Sequence, residues 1–154
     1  GNAGTLSGHD VVTGFAAGDG TNNSDHANVS ATGALVADGA VNGTDSLLTV
    51  GGAVIKSHKV ISGVVTFDDA DTWAIALVMT SAGSAAAAVE YLQLNDLGST
   101  GDTVIFDVGA DNFLYTQGNA GGNNTLDSVV KLVGVQADAL ITTNAAGAND
   151  VFIS

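Results

Sequence analysis

The sequence contains no cysteine, no proline and no arginine, and Glu90 is its only glutamate. Without cysteine there are no disulfides, no thiolate nucleophile and no thiolate metal site. Without proline nothing forces a kink or blocks pairing along a strand. The only basic side chains besides histidine are Lys56, Lys59 and Lys131, set against 16 acids, for a formal net charge of -13. Such a surface repels phosphate, which argues against nucleic-acid binding and makes anionic membranes equally poor partners. No apolar run is long enough to cross a bilayer, so membrane insertion is not expected. Aromatic residues make up 5% of the chain. With alanine and valine as the main apolar residues, thin and closely packed layers are expected instead of a bulky enzyme core.

What is present points to turns and strands. The 154 residues are 45% hydrophobic, enough to bury the core of one domain. With Glu90 alone among the glutamates, the remaining acids are aspartates, accompanied by 21 glycines and many asparagines. Aspartate and asparagine bond their own backbone and tolerate left-handed conformations, so this composition favours turns over solvated helices. Clustered carboxylates also attract hard cations, and oxygen-only sites suit Ca2+. The opening residues lack a basic region followed by an apolar run, so export is expected to use a signal other than a cleaved N-terminal one.

Residues 1–50 read as a loop-rich segment with short apolar pieces: DVVTGF from Asp10, GALVADGAV from Gly33 and SLLTVGG from Ser46. Residues 51–154 read as a compact β-rich C-terminal domain with one helix. Within it, AVIKSHKVISGVVTFDDADT splits at Ser62-Gly63 like a hairpin. SAGSAAAAVEYLQLNDLG predicts a helix over about residues 84–96. Ser84 is its expected N-cap, Ala85, Ala88, Val89 and Leu92 its apolar stripe, and Gly98 its stop. The preceding WAIALVMT fits a buried strand or the front of a longer helix. Further strands are expected at Thr103 to Val108, Phe113 to Gln117, Ser128 to Val133 and Val151 to Ser154, with another in Ala137 to Thr143. The expected fold class is mainly β, a β-sandwich or β-roll-like domain with one short helix.

Enzyme motifs are scarce. H-E-x-x-H, G-x-S-x-G and G-x-x-x-x-G-K are all absent from the sequence. His9, His26 and His58 are scattered, and no serine has a recognisable activating context. Carboxylate clusters are the better candidates. Asp68, Asp69 and Asp71 lie together after a strand, Asp107 and Asp111 flank the turn in DVGADN, and Asp19 borders an Asn-rich loop. These six are the candidate Ca2+ ligands. The alternative for Asp107 and Asp111 is hairpin turn chemistry.

Several stretches, in order, resemble the C-terminal regions of bacterial RTX-type and surface-layer proteins exported by type I secretion. GNAGTLSGHDVVTGF resembles the end of a Gly-Asp nonapeptide array, with Leu6 where the repeat has aspartate. KVISGVVTFDDADT, the Ala-rich helix, GDTVIFDVGADNFLYTQGN and TLDSVVKLVGV follow the order of such tails. Asp102 to Phe106 resembles the family's D-T-Y-V-F strand, and Asp127 to Val135 resembles its D-x-V-V-K-L-x-G-V segment. NDVFIS resembles the apolar C-terminus that type I exporters recognise. The resemblance implies a type I exporter as a partner during secretion, an extracellular or bacterial cell-surface location, and folding aided by calcium.

Two classes of function follow. One is a non-enzymatic structural protein that self-associates into a surface layer, matrix or filament, through edge strands free for pairing between copies. The other is a non-assembling secretion and calcium-folding tail of a larger RTX adhesin or exoenzyme. A hydrolase is the third class, and it lacks an identifiable site.

Overall fold

The computed structural model describes residues 8–18, 25–27, 34–44, 46–95, 97–118, 127–142 and 150–154. Among these residues the chain is mainly β with one helix. The strands are β1 (Asp10–Thr13), β2 (Gly39–Val41), β3 (Thr49–Val50), β4 (Ala53–Val54), β5 (Ser57–Ile61), β6 (Val64–Asp68), β7 (Thr103–Val108), β8 (Asp111–Thr116), β9 (Ser128–Val133), β10 (Leu140–Thr142) and β11 (Val151–Ile153). The helix α1 spans Ala82–Leu94. No described helix is long and apolar enough to cross a membrane.

Seven strands form one mixed sheet in the order β1-β9-β8-β7-β6-β5-β2. β5-β6 and β7-β8-β9 are antiparallel neighbours joined in sequence, whereas β1 with β9 and β6 with β7 run parallel. Alternation along the strands divides the core between the two faces. On one face Val65, Phe67, Val104, Phe106, Val108, Phe113 and Tyr115 pack with Ala85, Ala88, Val89, Tyr91 and Leu92 of the helix and with the β3-β4 hairpin. On the other, Ile105, Leu114 and Leu132 pack against Leu140, Val151 and Ile153 of the antiparallel pair β10-β11. The strands of the loop-rich N-terminal segment take both outer positions of the large sheet.

The β5-β6 hairpin turns at Ser62-Gly63, as its sequence indicates. Both residues have positive φ, 50° and 76°, the signature of a two-residue turn whose twist matches its strands. The turn is also a hub. The Ile105 N–H donates to Gly63 O at 2.9 Å and the Leu140 N–H to Ser62 O at 2.8 Å, which ties β7 and β10 to it. A Cβ on Gly63 would meet the Leu140 Cβ at 2.8 Å. Gly63→Ala is therefore expected to lose about 2–4 kcal/mol of folding free energy, from left-handed strain plus overpacking. Gly39→Ala, with open space at its Cβ and ordinary φ, is expected to be near neutral, and urea denaturation of the two variants checks both.

The helix cap lies three residues before the expected one. Ser81, not Ser84, is the N-cap: its backbone is extended and its Oγ accepts the Ser84 N–H at 3.2 Å. Ser84 lies inside the first turn, and the two hydroxyls stand 3.0 Å apart. All of Ala85 to Ala88 are buried, together with Val89, Tyr91 and Leu92. The contact surface is thus broader than one stripe, because alanine lets the helix sit close to its neighbours. The helix ends at Asn95, whose Nδ2 donates to Tyr91 O at 2.8 Å. Gly98 (φ 79°) bends the chain beyond the helix toward β7.

The stretch from Trp73 to Thr80 is neither strand nor helix. The Leu77 N–H donates to Phe67 O in β6 at 2.7 Å, and the Gly109 N–H just past β7 donates to Met79 O at 2.8 Å. β6 and β7 share only the Val64–Ile105 register pair, and this irregular segment bonds to both where they part. Leu77 and Met79 turn inward, while Ile75 and Val78 are 77% and 80% exposed.

Candidate functional site

The acidic loop after β6 is organised around one carboxylate. Asp68 is only 3% exposed. Its Oδ2 accepts the N–H groups of Ala74 at 2.6 Å and Ile75 at 3.0 Å, and its Oδ1 accepts that of Ala70 at 3.2 Å. Burial pushes this carboxyl up, but the N–H groups of Ile75, Ala74, Ala70 and Asp69 outweigh it and hold it below its ordinary value. Asp69 and Asp71 point to solvent, with Asp71 3.5 Å from the Lys56 ammonium. The three acids adjacent in sequence therefore do not converge. Asp68 faces in and its neighbours face out.

Asp107 and Asp111 stand opposite sides of a two-residue turn in which Val108 pairs with Asp111 and Gly109 has φ 65°. Asp107 accepts from the Asn112 amide. Asp111 accepts the Lys131 ammonium at 2.7 Å and the Gly134 N–H at 2.9 Å. Lys131 first, and then the Gly134 N–H, hold the Asp111 carboxyl below its ordinary value. Asp19 lies outside the described residues. Among the described residues no three acidic or histidine side chains converge as a metal-ligand group. A calcium cage needs six or more oxygens, and the buried oxygens of Asp68 already hold backbone N–H groups.

A single role recurs among the aspartates. Asp25, Asp38, Asp68, Asp102, Asp111 and Asp127 each accept a backbone N–H from a neighbouring loop or turn. The short carboxylate bonds nearby backbone, which a glutamate does less readily. Sequence reasoning gave this role to the composition as a whole and to particular residues only at the β7-β8 turn. Its signal was the composition itself, nearly all aspartate and rich in glycine.

A cleft of about 290 Å³ opens at the start of α1, lined by His9, Thr80, Ser81, Ala82, Ala85, Val108, Asp111, Phe113 and Lys131. A serine, a histidine and an aspartate share this cleft, yet they are not linked as a relay. Ser81 Oγ caps the helix, Asp111 holds Lys131, and the buried Nδ1 of His9 has no hydrogen-bond partner among the described residues. A second cleft, about 380 Å³, lies where β6 and β7 part, between Val65, Phe67 and the Ala76–Thr80 stretch.

His58 is buried in the core. Its Nδ1 lies 2.8 Å from the Tyr91 hydroxyl, which donates to Thr44 Oγ1 at 3.2 Å. Its ring meets Tyr91 edge-on, and Tyr91 meets Phe67 the same way. Burial pulls the His58 pKa from 6.5 down to about 4 and pushes the Tyr91 phenol up. Lys59, one residue on, points to the other face, with its ammonium 4.8 Å from the centre of the Trp73 ring.

Among the described residues both outer strands of the large sheet are exposed. β1 is exposed at all four residues and β2 at all three. Exposed apolar side chains accompany them: Val11 and Val12 on β1, Val133 beside it, Val41 on β2 and Ile61 beside that. No protein-family model, curated protein or solved structure matches this chain.

Proposed function

We propose that this chain is an extracellular, non-enzymatic structural protein. In this reading it leaves a bacterial cell through a type I exporter and self-associates into a surface layer, matrix or filament, with calcium stabilising the folded and assembled form. The observation that carries it is the pair of open edges on the seven-stranded sheet. Sheet proteins that stay monomeric blunt such edges with proline, lysine or a bulge. Here the chain has no proline, neither edge strand carries a lysine, and Asp10 is the only charge on either.

The non-enzymatic part draws on the cleft at the start of α1, where serine and aspartate serve the helix cap and an ion pair. The role of calcium draws on the charge. Copies carrying -13 each repel one another, and a divalent cation shared among exposed carboxylates such as Asp69, Asp71 and Asp107 reduces that repulsion. The export route draws on the resemblance of Lys59 to Ser154 to type I tails. The test is the size distribution by light scattering and electron microscopy, with calcium and then with chelator. Filaments or sheets that grow with calcium are expected. A monodisperse monomer under both conditions overturns self-assembly and favours the export tail of a larger protein.

A further inference from the structure

We propose that copies join head to tail, with β1 of one copy pairing in parallel with β2 of the next to continue the seven-stranded sheet as an open filament. This rests on the self-association reading above and specifies its contact.

Strand direction is the first argument. β2 opposes β5, β5 opposes β6, β6 runs with β7, β7 opposes β8, β8 opposes β9, and β9 runs with β1. Following these pairings across the sheet, β1 and β2 point the same way. A copy displaced along the sheet therefore presents its β2 to β1 in the same direction, and both faces of the sheet continue across the junction. Each junction leaves a free β1 at one end and a free β2 at the other. Such a heterologous contact propagates, whereas pairing like edges stops at a dimer.

Charge is the second argument. Among the described residues Asp10 and Lys59 each lack an ionic partner, while Lys56 and Lys131 have one. Asp10 pairs with Val130, and Lys59 pairs with Thr66 and with Ala40 of β2. Traced through the registers, Asp10 and Lys59 lie on the same face of the sheet, the one that carries Ile105 and Leu114. Across a β1-β2 junction they stand two strand spacings apart, about 9–10 Å between backbones, near enough for a lysine to reach toward a carboxylate. Pairing β1 with β1, or β2 with β2, brings no such opposite charges together.

The absence of native cysteine makes the test clean. A parallel junction that sets Asp10 opposite Ala40 sets Val11 opposite Val41, on the same face and both exposed. Val11→Cys on β1 and Val41→Cys on β2 are prepared singly, and each is checked for an unchanged melt by circular dichroism. They are treated with a short bismaleimide in calcium, alone and mixed, while light scattering follows the wild type. Head-to-tail pairing predicts covalent dimers in the mixture and none from either variant alone, because like positions are seven strands, about 33 Å, apart. Dimers from V11C alone or V41C alone overturn the proposal in favour of paired like edges. Scattering without any cross-link places the contact elsewhere, so the proposal falls while self-association stands. No scattering by the wild type removes both.

Charge exchange gives an independent readout. D10K is expected to raise the concentration needed for assembly about two- to five-fold, as does K59D, and the double variant is expected to restore it. D10K also lowers the net negative charge, which by itself favours assembly. Unchanged or easier assembly of D10K therefore counts against the junction.

Discussion

Asp68→Ala is expected to destabilise the fold by about 2–4 kcal/mol, because it leaves several backbone donors around a buried position without an acceptor. The Ala70, Ala74 and Ile75 N–H groups converge on this one carboxylate, which is 3% exposed. Asp68→Asn keeps the shape but loses the charge and one acceptor oxygen, so an intermediate loss is expected. Asp69→Ala and Asp71→Ala, at exposed positions, are expected to stay within about 0.5 kcal/mol of wild type. Urea titrations of the four variants, each with calcium and with chelator, check this. A loss at Asp68 that persists in chelator marks it as a backbone anchor. A loss that vanishes without calcium assigns it to the ion instead.

The same loop shows what sequence reading reached. The carboxylate cluster was visible, but its division into one inward and two outward side chains was not. That division depends on where the chain from Ala70 to Ile75 returns, which no local pattern encodes. Local features were legible. Ser62-Gly63 lies between β-branched runs and forms the hairpin expected of it. Thr103 to Val108 and Ser128 to Val133 are strands over those same residues.

The helix was legible in kind and displaced at its start, because Ser81 and Ser84 are chemically equal caps and only the extended chain before Ser81 decides between them. Trp73 to Thr80 has no usable period. Its apolar residues split between core and solvent because the segment sits where two parallel strands part. Least legible were the long-range pairings. β1 meets β9 across most of the chain, at Asp10 with Val130, and this pairing defines one of the two open edges. His58 could have been found. Alternation through His58 and Val60 points both to the core face, and a core histidine needs a polar partner.

That histidine sets the second large expectation, a loss of stability as pH falls from 6.5 toward 4. Its folded pKa, about 4, lies below the ordinary 6.5, so the unfolded chain binds a proton in this window that the folded chain refuses. Stability is full above pH 6.5 and declines as pH falls through the window, by about 1 kcal/mol at pH 5.5 and about 2–3 kcal/mol at pH 4. The cause is burial. The ring's hydrogen-bond partner is the neutral Tyr91 hydroxyl, and Tyr91 is held in turn by Thr44 and packs against Phe67. Asp68 and Asp111 act in a lower window. Their folded pKa values are depressed, so their contribution is present above the ordinary carboxyl value of 3.8 and is lost as pH falls below it. The two windows can be separated by substitution. His58→Gln is expected to flatten the stability profile between pH 6.5 and 4 while leaving the steeper fall below pH 4 in place. Denaturation midpoints at half-unit steps of pH test this. A His58→Gln profile parallel to wild type through the upper window would assign the acid sensitivity to other groups and leave His58 a purely packing role.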